Sequence, residues 1–262
     1  MAFLQNQGAK IYWDEQGSGI PVLLIMGLGY PSYLWHRMRP MLNEHYRTIA
    51  LDNRGSGQSD APTGVYPIAL MASDAAAVLD AAGVQSAHVF GLSMGGMISQ
   101  EFALQYPERV RSLILGCTTP RGANAVRAEK PVTDILMARG LTPEEAARAM
   151  RPYIYDSATL LDRIEEDMAI RRKWFPQPQG YLGQLQGILA WESYPRLERI
   201  AAQTLVIHGQ SDQLVPAGNG ELIAAKIPSA KLVMLPQASH IFTTDQPEPS
   251  RRAVMDFLGA QA

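Results

Sequence analysis

Ala87-His88-Val89-Phe90-Gly91-Leu92-Ser93-Met94-Gly95-Gly96 is the stretch on which the reading of this chain turns. A short strand pattern over 87–90 runs directly into G-x-S-x-G, and a helical pattern over 94–105 follows. Strand, tight turn and helix are the context in which that motif lifts a serine hydroxyl above a sheet. The turn leaves no room for side chains at Gly91 and Gly95, which would strike the neighbouring strand or helix. Ser93 is therefore expected in a strained backbone conformation, and the Met94 N–H is expected to point at the same reaction centre from the helix N-terminus.

Outward from this turn, short apolar runs recur at 21–26, 47–51, 112–115, 204–207 and 231–235. Each is too short for a helix and suits a strand buried on both faces of a parallel sheet. Helical patterns at 35–43, 68–82, 218–225 and 249–258 alternate with them. The alternation predicts an α/β fold with a mostly parallel central sheet flanked by helices. It lapses between about residues 120 and 200, where Thr142-Pro143-Glu144-Glu145 predicts a capped helix start. Asp156 or Ser157 is expected to cap a second helix, and a third is expected over 181–191 after the break at 176–179. An insertion of this length is read as a helical cap over 121–200, with residues 1–120 and 201–262 forming the core domain.

A serine hydroxyl needs a base, and the base needs an orienting acid. Among five histidines, His36 and His45 are read as surface residues, His88 as a packed strand residue and His208 as a structural strand-end residue. His240 lies in a loop just past the last strand pattern, where open α/β sheets keep their sites, and is the candidate base. Asp212, in the loop after 204–207, is the candidate acid by position, ahead of Asp134, Asp156, Asp162, Asp167 and Asp245. The strand 21–26 ends in Gly27-Leu28-Gly29, which makes the Leu28 N–H a second candidate oxyanion donor beside that of Met94.

With these residues assembled, the chain resembles the α/β-hydrolase superfamily over essentially its whole length. The likeness is closest to capped bacterial serine esterases and lactonases carrying a G-x-S-M-G-G elbow. Asp52-Asn53-Arg54-Gly55-Ser56-Gly57-Gln58-Ser59 is similar to the superfamily's D-x-R-G-x-G-x-S turn, and Thr204 to Gly209 to the strand before its acid. The resemblance implies a Ser93–Asp212–His240 triad, a helical cap with an insertion between two core strands, and Asp52 and Arg54 pairing to brace a turn. Two departures bear on substrate. The frequent His-Gly of the oxyanion strand is Met26-Gly27 here, and Ser239 precedes the base histidine where Gly is common.

Composition narrows the remaining classes. Twenty-five acids against 23 bases give a net charge of −2 with the bases scattered, which excludes a basic nucleic-acid platform and a polybasic membrane anchor. With 47% hydrophobic residues, the chain has the composition of an ordinary globular core. The lone Cys117 supports neither an internal disulfide nor a cysteine metal site, and is read as a small buried hydrophobe. The first eight residues lack a basic segment followed by an apolar run, so a cytoplasmic location is expected. No metal or cofactor is expected. Trp35, Tyr153, Trp174, Tyr181 and Trp191 are candidate pocket walls. The leading function is hydrolysis of a small carboxylic ester or lactone through an acyl-enzyme. C–C bond hydrolysis of a ring-cleavage product on the same triad, or a small-molecule receptor on the same scaffold, are the alternatives. Oligomeric state is left open.

Overall fold

The continuous apolar runs pair with one another and so occupy the middle of a sheet. A computed structural model describes residues 1–138 and 140–261. Its strands are β1 (Ala2–Asn6), β2 (Ala9–Gln16), β3 (Ile20–Ile25), β4 (Tyr46–Leu51), β5 (Ala87–Leu92), β6 (Val110–Gly116), β7 (Thr204–Gly209) and β8 (Ala230–Leu235). They form one eight-stranded sheet in the order β1-β2-β4-β3-β5-β6-β7-β8. From β4 to β8 every pairing is parallel, whereas β1 and β2 enter antiparallel. The sheet is the mostly parallel α/β arrangement expected from the sequence. In register, Ile25 faces Gly91, Leu92 faces Gly116 and Gly209 faces Leu235, so the loops leaving β3, β5, β7 and β8 emerge along one edge.

The β1–β2 hairpin was not among the expected strands. Burial in β1 alternates residue by residue, as in an edge strand with one wet face, so it carries no continuous apolar run. Its turn uses Gln7 and Gly8, both with positive φ, the geometry that matches hairpin twist.

The helices are α1 (Arg39–Leu42), α2 (Ile68–Ala81), α3 (Met94–Gln105), α4 (Lys130–Leu136), α5 (Pro143–Ile154), α6 (Leu161–Lys173), α7 (Pro178–Leu189), α8 (Gly218–Lys226), α9 (Phe242–Asp245) and α10 (Pro247–Gly259). Two apolar layers sandwich the sheet. One holds Met71, Leu79, Ile98 and Phe102 from α2 and α3, and the other holds Trp35, Met38, Val254 and Leu258. Trp35 is 1% exposed with its ring 4.8 Å from that of Phe90, so it is core and not pocket wall. The expected helix over 35–43 is instead a 3-10 turn, Ser32–Arg37, followed by the single turn of α1.

Helices α4 to α7 interrupt the strand order between β6 and β7. The capping box at α5 forms as expected: the Glu145 N–H donates to Thr142 Oγ1 at 3.2 Å and the Thr142 N–H to Glu145 Oε2 at 2.8 Å. At α6 the N-cap is Leu160, without a side-chain cap, rather than Asp156 or Ser157. Asp156 instead closes a local turn by accepting from the Ala158 N–H at 2.9 Å. The third helix starts at Pro178, because a proline at the first turn opens a helix as readily as it ends one. Asp52 and Arg54 do not pair. Arg54 makes two 2.7 Å hydrogen bonds to buried Asp74 on α2, while Asp52 accepts the Ser32 and Gln58 N–H groups at 2.6 and 2.8 Å. Among the described residues, no helix is long and apolar enough to cross a membrane.

Candidate active site

Ser93, between the end of β5 and the start of α3, has φ 56 and ψ −118, a conformation that costs a non-glycine residue of order 1–3 kcal/mol. Neighbours on both sides hold it there. Its N–H donates to the Gly116 carbonyl at 2.8 Å, and its own carbonyl accepts the Thr118 hydroxyl at 2.7 Å and the Gly96 N–H at 2.9 Å. A Cβ at Gly95 would collide with the Ile25 carbonyl, so only glycine lets α3 start this close to β3.

The loop after β3 approaches the same point. A Cβ on Gly27 would stand 3.1 Å from Ser93 Cβ and 3.5 Å from its Oγ. Among the described residues, neither the Leu28 N–H nor the Met94 N–H has a hydrogen-bond partner, and the latter opens the first turn of α3. Two side chains pin this loop. Asn53 Nδ2 donates to the Met26 carbonyl at 2.8 Å, and Gln184 Oε1, from α7, accepts the Gly29 N–H at 2.8 Å. The other end of the Gln184 amide donates to the Arg54 carbonyl at 2.7 Å. Sequence reasoning missed Gln184, which fastens the loop that begins at Met26-Gly27.

Asp212 and His240 meet across the loops after β7 and β8. His240 Nδ1 lies 2.8 Å from Asp212 Oδ2, and both side chains are almost wholly buried. The other Asp212 oxygen accepts the Leu214 and Val215 N–H groups at 2.9 and 2.8 Å. Burial raises the Asp212 carboxyl, but the His240 charge and the hydrogen bonds from His208 and His240 outweigh it and hold the group at about 2. His208 serves as its second brace: Nε2 lies 2.8 Å from the Val215 carbonyl and 3.3 Å from Asp212 Oδ2. His88 is packed in β5, 2.7 Å from Ser112 Oγ. His36 is not a plain surface residue, since its Nε2 lies 3.4 Å from Asp167.

With Nδ1 engaged, His240 Nε2 is the nitrogen left for the cavity that Ser93 also lines. Among the described residues, Ser93 Oγ has no hydrogen-bond partner. The serine–imidazole hydrogen bond is thus not closed in this geometry, and catalytic hydrogen bonds commonly tighten only in the reacting complex. Cys117, Asp212 and His240 bring potential metal-ligating atoms within 4.8 Å of one another. The Cys117 thiol, however, is pushed well up by burial and donates to the Ser239 carbonyl at 3.6 Å, so it is a neutral, occupied group unsuited to a metal.

The cavity measures about 700 Å³ and is walled mainly by apolar side chains, among them Leu28, Leu92, Met150 and Leu185. Of the candidate aromatics, Tyr181 lines it. Trp35 is core, Trp174 stacks on Tyr33 at 5.6 Å, and Trp191 donates its indole N–H to Glu101 at 2.7 Å. Tyr153 packs within the α4–α6 cluster. Residue type alone does not tell which face of a helix a ring occupies. The walls that sequence reasoning missed include Tyr30, Tyr155, Asp167 and Phe175, and of the cap cations Arg171 and Arg172, which the sequence leaves open, Arg171 lines the cavity. Ile164, Asp167, Met168 and Arg171 fall at one-face spacing on α6, and that was the signal available.

The turn between α5 and α6 is stitched to both loops. The Ile241 N–H donates to the Ile154 carbonyl at 2.9 Å, and Ser239 Oγ to the Tyr153 carbonyl at 3.2 Å. Ser211 Oγ donates to Asp156 at 2.7 Å, and Thr159 Oγ1 to Asp245 at 2.6 Å.

Known proteins share this arrangement of chain. A family model described as alpha/beta hydrolase fold matches residues 20–247. RutD of Azorhizobium caulinodans, whose name proposes carbamate hydrolysis, is 34% identical over 263 residues, spanning 99% of this chain and 98% of that protein. The enol-lactonase from Burkholderia xenovorans LB400 superposes with a TM-score of 0.88 at 26% identity, covering 98% of this chain and 100% of that one. A hydrolase from Pseudomonas aeruginosa PA01 gives a TM-score of 0.87 at 31% identity, with 98% of each chain covered. Matched from β3 to the start of α10 by the family model, and end to end by its relatives, the chain belongs to the alpha/beta hydrolase fold family.

Proposed function

We propose that this hydrolase cleaves a small carboxylic ester or lactone through a covalent acyl-enzyme on Ser93. The observation that carries the reading is the Asp212–His240 hydrogen bond of 2.8 Å, beside a serine held at positive φ in the same cavity. Ser93 Oγ attacks the carbonyl carbon while its proton passes to His240 Nε2. Asp212 accepts the Nδ1–H and so keeps Nε2 free to act as base. The Leu28 and Met94 N–H groups stabilise the oxyanion. Collapse expels the alkoxide, which takes the proton from His240. Water, activated by the same imidazole, then releases the acid and frees Ser93. Helices α4 to α7 act as a lid that excludes bulk water from this exchange.

Carbamate hydrolysis is a second reading, favoured by the RutD relative, and it uses the same acyl centre on a less reactive carbonyl. An organophosphonate followed by mass mapping tests the common core. The adduct is expected on Ser93 alone, and Ser93→Ala is expected to lower kcat on short aryl esters at least ~10³-fold with the fold intact. An adduct on any other serine overturns the assignment. A burst without sustained turnover across esters, lactones, carbamates and vinylogous diketones favours a receptor instead.

A further inference from the structure

Three cations close the last turn of α6, and they differ in what they meet. Arg172 pairs with Glu144 and Glu165, and Lys173 is exposed. Arg171 instead lines the cavity. Among the described residues, its guanidinium has no ion-pair partner and no hydrogen bond, and its Nε is buried. The guanidinium carbon stands 4.2 Å from the centre of the Tyr30 ring and 5.8 Å from that of Phe175. Tyr30 closes the turn that begins at Gly27, its N–H donating to the Gly27 carbonyl, so the cation lies on the flank of the loop nearest Ser93. Burial raises the phenols of Tyr30, Tyr155 and Tyr181, and Arg171 is the charge that opposes the rise at all three.

The neighbouring carboxylate does not neutralise this cation. Asp167, one turn earlier on α6, accepts Tyr155 Oη at 3.1 Å and Thr244 Oγ1 at 2.7 Å, and lies 3.4 Å from Arg37 Nη2 and from His36 Nε2. Its oxygens are occupied. Arg171 is left as a cation without an ion-pair partner among the described residues in a mainly apolar wall, an arrangement that costs free energy until an anion arrives. The planar fork of a guanidinium matches a carboxylate through two parallel hydrogen bonds. The phenols of Tyr30 and Tyr181 beside it offer further donors, whereas that of Tyr155 is spent on Asp167.

Resting on the ester-hydrolase reading of Ser93, we propose that the substrate carries a free carboxylate remote from its scissile carbonyl, and that Arg171 binds it. The face of the guanidinium rests on the Tyr30 ring, while its N–H edge serves recognition.

Two measurements test this, one by turnover and one by binding. Mono-4-nitrophenyl adipate and 4-nitrophenyl hexanoate differ in a terminal carboxylate against a methyl group. The ratio of their kcat/KM values is expected to fall at least ~10-fold in Arg171→Met, with Arg171→Lys intermediate, as for loss of a charge-assisted hydrogen bond. Most of the change is expected in KM. An unchanged ratio overturns the proposal. In the binding arm, Ser93→Ala protein is titrated with 4-phenylbutyrate and with 4-phenylbutanamide. The acid is expected to bind at least ~10-fold more tightly, and Arg171→Met in that background is expected to abolish the difference. Equal binding of acid and amide overturns the proposal whatever the esters do. If neither ester turns over while the acid is preferred, the ester reading falls and the carboxylate subsite stands.

Discussion

Asp245 carries charge into the base of the His240 loop. Its carboxyl accepts the Ser239 N–H at 2.7 Å and the Thr159 hydroxyl at 2.6 Å. Burial nonetheless pushes it up to about 6. An unfolded aspartate titrates near ~3.9, so between about pH 4 and 6 the native state binds the extra proton, and this group's contribution to stability declines as pH rises. His88 works in the opposite direction over the same window. Burial, and then Arg111, hold it down at about 4. Against an unfolded value of ~6.5, its contribution grows as pH rises. Asp245→Asn separates the two, because an amide can still accept from Ser239 and donate to Thr159. The stability of the variant minus that of the parent, from urea unfolding, is expected to climb from pH ~4 to ~6 and then level off. A flat difference across that window refutes the assignment. None of this was legible in the sequence, where Asp245 stood only as a rival acid. Ser93, Asp212 and His240 stood out because strand ends fix where loops emerge, whereas the partner a side chain finds in an inserted segment depends on packing.

At the scale of elements, the loop after β3 is held in place by a helix distant in sequence. Met26 stands where the resemblance drawn from the sequence leads one to expect histidine, and the loop is fastened from α7 by Gln184, which lies more than 150 residues further along the chain. Gln184→Met keeps the side-chain volume and removes all three of its hydrogen bonds, to the Gly29 N–H, the Arg54 carbonyl and Ser56 Oγ. The Leu28 N–H then loses its support, and kcat on a short aryl ester is expected to fall ~10–10²-fold, somewhat less than deletion of an oxyanion donor. KM is expected to stay within about threefold, and affinity for a trifluoromethyl ketone, which mimics the oxyanion, is expected to fall with kcat. Equal losses of ground-state and oxyanion affinity would falsify the positioning role. The buried parallel strands were readable because each is a continuous apolar run. The β1–β2 hairpin was not, since β1 alternates and β2 buries only Ile11, Tyr12 and Trp13 in succession before the polar run Asp14, Glu15 and Gln16. Gln184 was equally silent: a glutamine in a helix signals solvent unless its partners are known.

The whole molecule sets the size of what can react. An apolar cavity of about 700 Å³ between the sheet and the inserted helices admits a small molecule but not a lipid surface. Neutral aryl esters of about two to six acyl carbons are therefore expected to outrun longer ones, with no rise in rate as substrate passes its micellar concentration. A jump at that transition, or a preference for long chains, contradicts the lid reading. The stitches described above have a further consequence, for recombination between relatives. The inserted segment, helices α4 to α7, looks like a cassette whose natural crossover points are the ends of β6 and β7. Yet Tyr153, Ile154, Asp156 and Thr159 bond to Ser239, Ile241, Ser211 and Asp245, all of which lie beyond the second crossover. A chimera that exchanges the segment alone breaks a matched set and detunes the His240 loop it never touched. One that also carries residues 211 and 239–245 inherits both halves of the seam.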